Sequence, residues 1–264
     1  MLARENLAAL RARIAEKERS SPQAWPSVPT GAAGIDDVLP GGGLATGALH
    51  ELLPATHADL PAALGFGLGV IARILEARQG HILWVLPSFI ASTTGSLYPV
   101  GLAAYGIDPD RLVHLTVDKP VNVLWALEEA LSHSAVAAAI GILPENERAY
   151  DFTASRRLSM RAARHGATAF VVGTRPDLGL STAADMRWRI AAEASSPAWR
   201  TGQYRPGLGA PRWRVELTKT RKGVTGAWPV EWNHETLSFR VAAPLGDRAP
   251  VRVDRRTDGQ HAAA

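Results

Sequence analysis

Chemistry on a nucleoside triphosphate calls for a strand, a loop reading G-x-x-x-x-G-K-[ST] and a helix. The glycines let backbone N–H groups wrap the phosphates, the lysine meets their charge and the hydroxyl meets Mg²⁺. Residues Thr30 to Glu76 carry the frame of such a unit: Gly41, Gly42 and Gly43 as a turn, Ala48 to Leu53 as an apolar strand and Ala62 to Leu75 as a helical apolar run. The loop itself reads Pro54-Ala55-Thr56-His57-Ala58-Asp59-Leu60-Pro61, and no Lys or Arg occurs between Arg19 and Arg73. Asp59 adds a carboxylate near the helix N-terminus, where it suits the helix dipole and repels a phosphate. The spacing predicts a nucleotide-binding scaffold that does not bind nucleotide.

The remaining reactive residue types give no catalytic constellation. Thr56, His57 and Asp59 have the types of a hydrolytic triad but share one turn, with no elbow to present a nucleophile. The eight His show neither H-x-x-x-H nor H-x-E spacing, so no metal site is expected. Cysteine is absent, which removes disulfides, thiol nucleophiles and Cys-ligated metals. No cofactor is expected.

What could bind is the basic charge, which is confined to one block. Residues 1–155 hold 10 Lys and Arg against 16 Asp and Glu, residues 156–222 hold 14 against 4, and residues 223–264 hold 5 against 5. That asymmetry points to a polyanion or an acidic protein as partner. Within the block, Met186, Trp188 and Ile190 alternate with Arg187 and Arg189, and Trp213, Val215 and Leu217 alternate with Arg212, Arg214 and Glu216. Period-two alternation predicts half-buried strands with arginines on the outer face. Arg187, Arg189, Arg212 and Arg214, with Lys219, Arg221 and Lys222, are therefore the candidate contacts to nucleic acid or to an acidic partner, expected as one continuous basic surface. Trp188, Trp213, Trp228 and Trp232 are expected to pack in the core, with stacking on bases or a partner as the alternative.

The elements that position these residues read as follows. Residues 2–19 predict an amphipathic helix with Leu7, Leu10 and Ile14 on one face as candidate partner-docking residues, with packing on its own domain as the alternative. Ser20 to Pro29, with three prolines, predicts a semi-rigid linker. Apolar strands are expected at Gly80–Pro87, Val113–Val117, Ala135–Leu143 and Phe170–Gly173, with helical segments at Tyr98–Tyr105, Leu124–Leu131 and Ser155–His165. Strands alternating with helices imply βαβ units and a parallel sheet. The period-two strands follow, with a third at Thr236–Val241, and residues 243–264 read as a polar, disordered tail. The expected organisation is 1–29 as helix and linker, 30–242 as one α/β core domain, and 243–264 as tail. With no secretory h-region and no spanning segment outside candidate core helices, the cytoplasm is expected and no membrane partner is.

The order of parts is similar to the ATPase core of the RecA recombinases. Thr30-Gly31, Gly34-Ile35-Asp36, Leu39, Gly42-Gly43-Leu44, Gly47 and Glu51 match the approach to the phosphate loop, and Arg187–Ile190 with Val215–Lys222 resemble the strands that close that core. More narrowly, Leu83–Leu115 and Leu217–Gly223 resemble the ImuA family, RecA-related accessory proteins of bacterial SOS mutagenesis. The resemblance covers about Thr30–Val241. It implies a RecA-like α/β fold with a mainly parallel central sheet, antiparallel strands at the C-terminal end and a degenerate phosphate loop. It also implies partners: an ImuB-like, Y-family-related protein, an error-prone C-family DNA polymerase reached through it, and RecA itself.

The departures bear on activity. The phosphate lysine and hydroxyl are missing at Pro54–Pro61. Pro87-Ser88 stand where the water-activating acid should follow the next strand, and the strand expected to end in a Walker B aspartate ends Ile142-Leu143-Pro144-Glu145. Glu145 reads as a solvated turn residue, with a stand-in for that carboxylate as the alternative. The regions matching RecA's DNA-binding loops, Pro144–Phe152 and Arg175–Asp185, are short. A non-enzymatic scaffold of a translesion-synthesis complex is the expected function, with single-stranded DNA binding through the basic half as the alternative.

Overall fold

In a parallel sheet covered on both sides, each strand must be apolar on both faces, so it reads as an unbroken apolar run. Such runs build the centre of this protein. The structure, a computed structural model, describes residues 25–95, 97–144, 147–176, 181–197, 207–221 and 223–242. In order, the elements are β1 (Ser27–Val28), α1 (Ala33–Asp36), β2 (Leu44–Ala45), β3 (Leu49–Pro54), α2 (Leu60–Ala77), β4 (His81–Pro87), α3 (Ser88–Thr94), α4 (Pro99–Ala103), β5 (Leu112–Val117), α5 (Pro120–Ala130), β6 (Val136–Leu143), α6 (Phe152–His165), β7 (Thr168–Gly173), β8 (Met186–Ala192), β9 (Arg212–Thr220), β10 (Gly226–Asn233) and β11 (Ser238–Val241).

Nine strands form one sheet in the order β11-β10-β9-β8-β3-β7-β6-β4-β5. From β8 to β5 every neighbouring pair is parallel. From β8 outward to β11 every pair is antiparallel. This is the RecA-like architecture expected from the sequence, mainly parallel in the middle and antiparallel at the C-terminal end.

The two faces carry separate cores. On one side α2 buries Phe66, Val70, Ile71 and Ile74 against Leu52, Ile140, Phe170, Trp188 and Val215. Three glycines on α2 let it lie close to the sheet; a Cβ on Gly67 would stand 2.8 Å from Leu52 Cδ1, and one on Gly69 would stand 2.6 Å from the Phe239 ring. On the other side Val123, Leu124 and Leu127 of α5 and Ala154, Leu158 and Ala162 of α6 cover Leu83, Val85, Ala139 and Val171. The segment His57–Ala77 is long and apolar enough to cross a membrane, yet 61% of its most apolar 18-residue stretch is buried within this fold.

Trp188, Trp213 and Trp232 all lie on the α2 face and are buried there with Phe66 and Phe239, while Trp228 packs partly against the same core. Ring centroids in the set lie 4.9–6.1 Å apart, with tilted or edge-on planes, the arrangement that ring quadrupoles favour. Core packing is thus their role, and none of the three buried rings is available for base stacking.

The expected linker to Pro29 is part of the body from Trp25 onward. Trp25 Nε1 donates to the Ala163 carbonyl at 2.7 Å, its ring lies under the Arg78 guanidinium at 5.6 Å, and β1 pairs with β2. Gly47 (φ +57) and Gly166 (φ +78) leave the room that this ring fills. Leu7, Leu10, Ile14 and the tail 243–264 lie outside the described residues, as do Glu145 and Lys222.

Candidate functional site

The loop between β3 and α2 is built differently from a phosphate cradle. After Pro54 the Ala55 N–H is taken by the Ile190 carbonyl at 2.7 Å, and His57–Asp59 make one 3-10 turn leading into α2. The Asp59 carboxylate then accepts from the Thr56 N–H at 3.0 Å, from the Thr56 hydroxyl at 2.7 Å and from the Ala192 N–H at 2.9 Å. His57 Nδ1 donates to the Thr174 carbonyl at 3.2 Å. Desolvation acts to raise the Asp59 pKa, but the hydrogen bonds from Ala192 and Thr56 outweigh it and hold the carboxyl below the usual carboxylate range. An ionised side chain of the protein thus stands at the head of α2, where the helix dipole favours an anion. It ties that helix to the end of β8.

The second feature is a polar network on the α5–α6 side of β3 and β8. Glu51, an acid within an apolar strand, is wholly buried. Its Oε2 lies 2.6 Å from Arg187 Nε, and its Oε1 accepts from the Tyr150 hydroxyl at 2.6 Å. Burial raises the Tyr150 pKa well above that of an ordinary phenol, and the Glu51 charge adds to the effect. Arg187 also donates to Thr182 Oγ1 at 3.1 Å. Lys219 donates to the Thr182 carbonyl. Asp185 accepts from Leu49 N–H and Ser159 Oγ and pairs with Arg221 Nε at 3.0 Å. Burial lowers the Lys219 pKa, and the nearby Arg187 and Arg221 act in the same direction against Glu51 and Asp185.

These contacts revise the expectation of one continuous basic surface. The alternation itself is as expected: Met186, Trp188, Ile190, Trp213, Val215 and Leu217 are buried. Most of the cations beside them, however, are answered by carboxylates. Arg187 is held by Glu51 and its side chain is 16% exposed. Arg212 is held by Glu193 at 2.9 Å and its side chain is 6% exposed, which withdraws it from any surface contact. Beyond a register shift between Arg187 and Trp188, Arg189 stands opposite Glu216, and the two pair at 2.6 Å. Arg221 is exposed but paired with Asp185. Arg214 is exposed and makes no ion pair among the described residues. Sequence reading missed the partners because an ion pair spans 136 residues between Glu51 and Arg187. The signal that was present is Glu51 itself, since an acid in a buried strand requires a charged or hydrogen-bonding partner.

A third surface lies at the opposite end of the sheet. β5 is an edge strand, and Val113 and Leu115, registered beside Leu83 and Val85, are exposed. On α5, Val121 and Trp125 are exposed one turn apart, Trp125 by 68%. An open strand edge beside a large exposed aromatic is the kind of surface that a partner protein covers.

No family model matches the chain. The chain is similar to protein ImuA of Caulobacter vibrioides, in each of two strains: 33% identical over 249 residues, covering 88% of this chain and 96% of that protein.

Proposed function

From the premise that this chain belongs to the ImuA family, RecA-related accessory proteins of SOS mutagenesis, we propose that it is a non-catalytic scaffold. It acts in the cytoplasm and joins an ImuB-like, Y-family-related protein to an error-prone C-family DNA polymerase, with RecA as a further contact.

The observation that carries the non-catalytic reading is the Asp59 carboxylate bonded to Thr56 and Ala192 at the head of α2. A γ-phosphate brought to this helix end would meet that charge with no lysine on the loop to offset it. Docking is supported by the exposed Val113, Leu115, Val121 and Trp125 beside the open edge of β5. The alternative, single-stranded DNA binding through the basic half, is weakened by the ion pairs of Arg187, Arg189, Arg212 and Arg221. Counterion release requires cations that are free to meet phosphates.

Co-purification with the ImuB-like protein tests the proposal. The full chain is expected to retain the partner at raised salt, and Leu10→Asp with Ile14→Asp is expected to weaken retention without altering the melting temperature of the body. Failure to retain the partner, alongside oligonucleotide binding that falls steeply with salt, would replace the scaffold reading with the DNA-binding one.

A further inference from the structure

Phe152, Arg156 and Met160 fall at i, i+4 and i+8 on α6, so they line one stripe of the helix. All three are exposed, Phe152 by 50% and Met160 by 61%. They form one wall of a groove of about 530 Å³, with residues 182–184 as its floor and Lys219 and Arg221 at the end of β9 as the opposite wall. That volume is within the range of roughly 300–1,000 Å³ typical of sites that enclose a ligand. The floor is fixed: the Ala183 N–H donates to Ser155 Oγ at 2.9 Å, and Thr182 receives bonds from Arg187 and Lys219. The groove is therefore preformed and does not require its floor to order on binding.

We propose that this groove binds an acidic peptide segment of a partner protein, with a carboxylate on Arg156 and an adjacent apolar side chain between Phe152 and Met160. The site goes beyond the scaffold reading and stands without it. Charge complementarity sets the acidic character of the ligand. Arg156 is exposed and makes no ion pair among the described residues, so an incoming carboxylate meets an unneutralised guanidinium there. The apolar pair favours a peptide over a nucleic acid. A strand of DNA would need several cations in a row for its phosphates, yet Arg221 is paired with Asp185 and Lys219 is bonded to the Thr182 carbonyl. Met160, with an unbranched and polarisable side chain, suits an anchor of varying shape.

The test is fluorescence anisotropy of a labelled Asp-Leu-Asp-Phe-Asp peptide titrated with the full chain. Saturable binding is expected, weakened by about tenfold or more, or about 1.4 kcal/mol, in Arg156→Glu and in Met160→Asp and unchanged in Arg214→Glu. All three positions are exposed, and melting temperatures within a few degrees of the parent, as surface substitutions give, verify that each variant is folded. Asn-Leu-Asn-Phe-Asn and an all-Asp peptide are each expected to bind at least about tenfold more weakly. No saturable binding, or equal binding of either control peptide, overturns the proposal. So does an oligothymidine that binds more tightly than the peptide and is lost in the same variants, which would make the groove a nucleic-acid site.

Discussion

Arg187 Nε and Glu51 Oε2 lie 2.6 Å apart across the β3–β8 pair, with the carboxylate wholly buried and the guanidinium nearly so. Because Tyr150 donates to the other Glu51 oxygen, the pair also anchors the segment that leads into α6. Removing one partner leaves an uncompensated buried charge, at a cost of about 3–5 kcal/mol. Arg187→Ala should lower stability by that amount in denaturant titration. Arg189→Ala, whose pair with Glu216 is half exposed on both sides, should cost no more than about 1 kcal/mol. Equal effects would mean that Arg187 is a surface cation after all.

Gly69 tests the close approach of α2 to the sheet. In a helix interior Ala is favoured over Gly by about 1 kcal/mol, so helix propensity alone predicts that Gly69→Ala stabilises. A Cβ there would stand 2.6 Å from Phe239 Cζ and 3.1 Å from Trp232 Cε3, and both rings are buried in the aromatic cluster. Overpacking costs about 1–3 kcal/mol, so a lower melting temperature is expected. A rise would show that the rings can move aside.

The wholly buried His50 gives the protein a pH dependence. Its Nε2–H donates to the Ala45 carbonyl at 2.7 Å, while Nδ1 has no partner. Burial holds the imidazole below its ordinary 6.5, opposed in part by the Ala45 bond and the Asp185 charge. The folded protein keeps His50 neutral, whereas the unfolded chain takes up a proton at the ordinary value. The His50 contribution is therefore fully present above about pH 6.5 and is lost as the pH falls towards the depressed folded value. Melting temperatures should fall between about pH 7 and pH 5, and the fall should be shallower in His50→Gln. An unchanged slope in that variant would rule out His50 as its source.

Much of the architecture was legible in the sequence because burial on both faces leaves an unmistakable pattern. The runs at His81–Pro87, Val136–Leu143 and Thr168–Gly173 are strands within a residue or two of expectation. The helix α2 starts at Leu60, two residues before the expected Ala62; Pro61 looks like a breaker, although a first-turn proline lacks only an N–H that the helix leaves unpaired. α3 was not legible: Ser88–Thr94 is rich in hydroxyl residues that disfavour helix, and here Ser92, Thr93 and Thr94 return their hydroxyls to the Phe89 and Ile90 carbonyls. The basic strands were legible as strands but not as surfaces. Alternation gives the face on which an arginine lies, whereas its charge is set by a carboxylate such as Glu51, Glu193 or Glu216 placed by the fold.

Asp59 joins the helix head to β8, so its removal should be felt in stability. Asp59→Ala loses three hydrogen bonds to the carboxylate and should cost about 0.5–2 kcal/mol, as the loss of a helix cap does. Because its carboxyl is held below the usual range, this contribution is present above the unfolded value near 3.8 and disappears as acid protonates the folded group. No loss of stability at neutral pH would show that the carboxylate is not a brace.

The proposal that Asp59 at the head of α2 keeps nucleotide out is tested most directly by equilibrium titration of the full chain with a fluorescent ATP analogue and Mg²⁺. No saturable signal and no phosphate release above the protein-free rate are expected. Saturation at sub-millimolar concentration, corresponding to binding of more than about 4 kcal/mol, would contradict it.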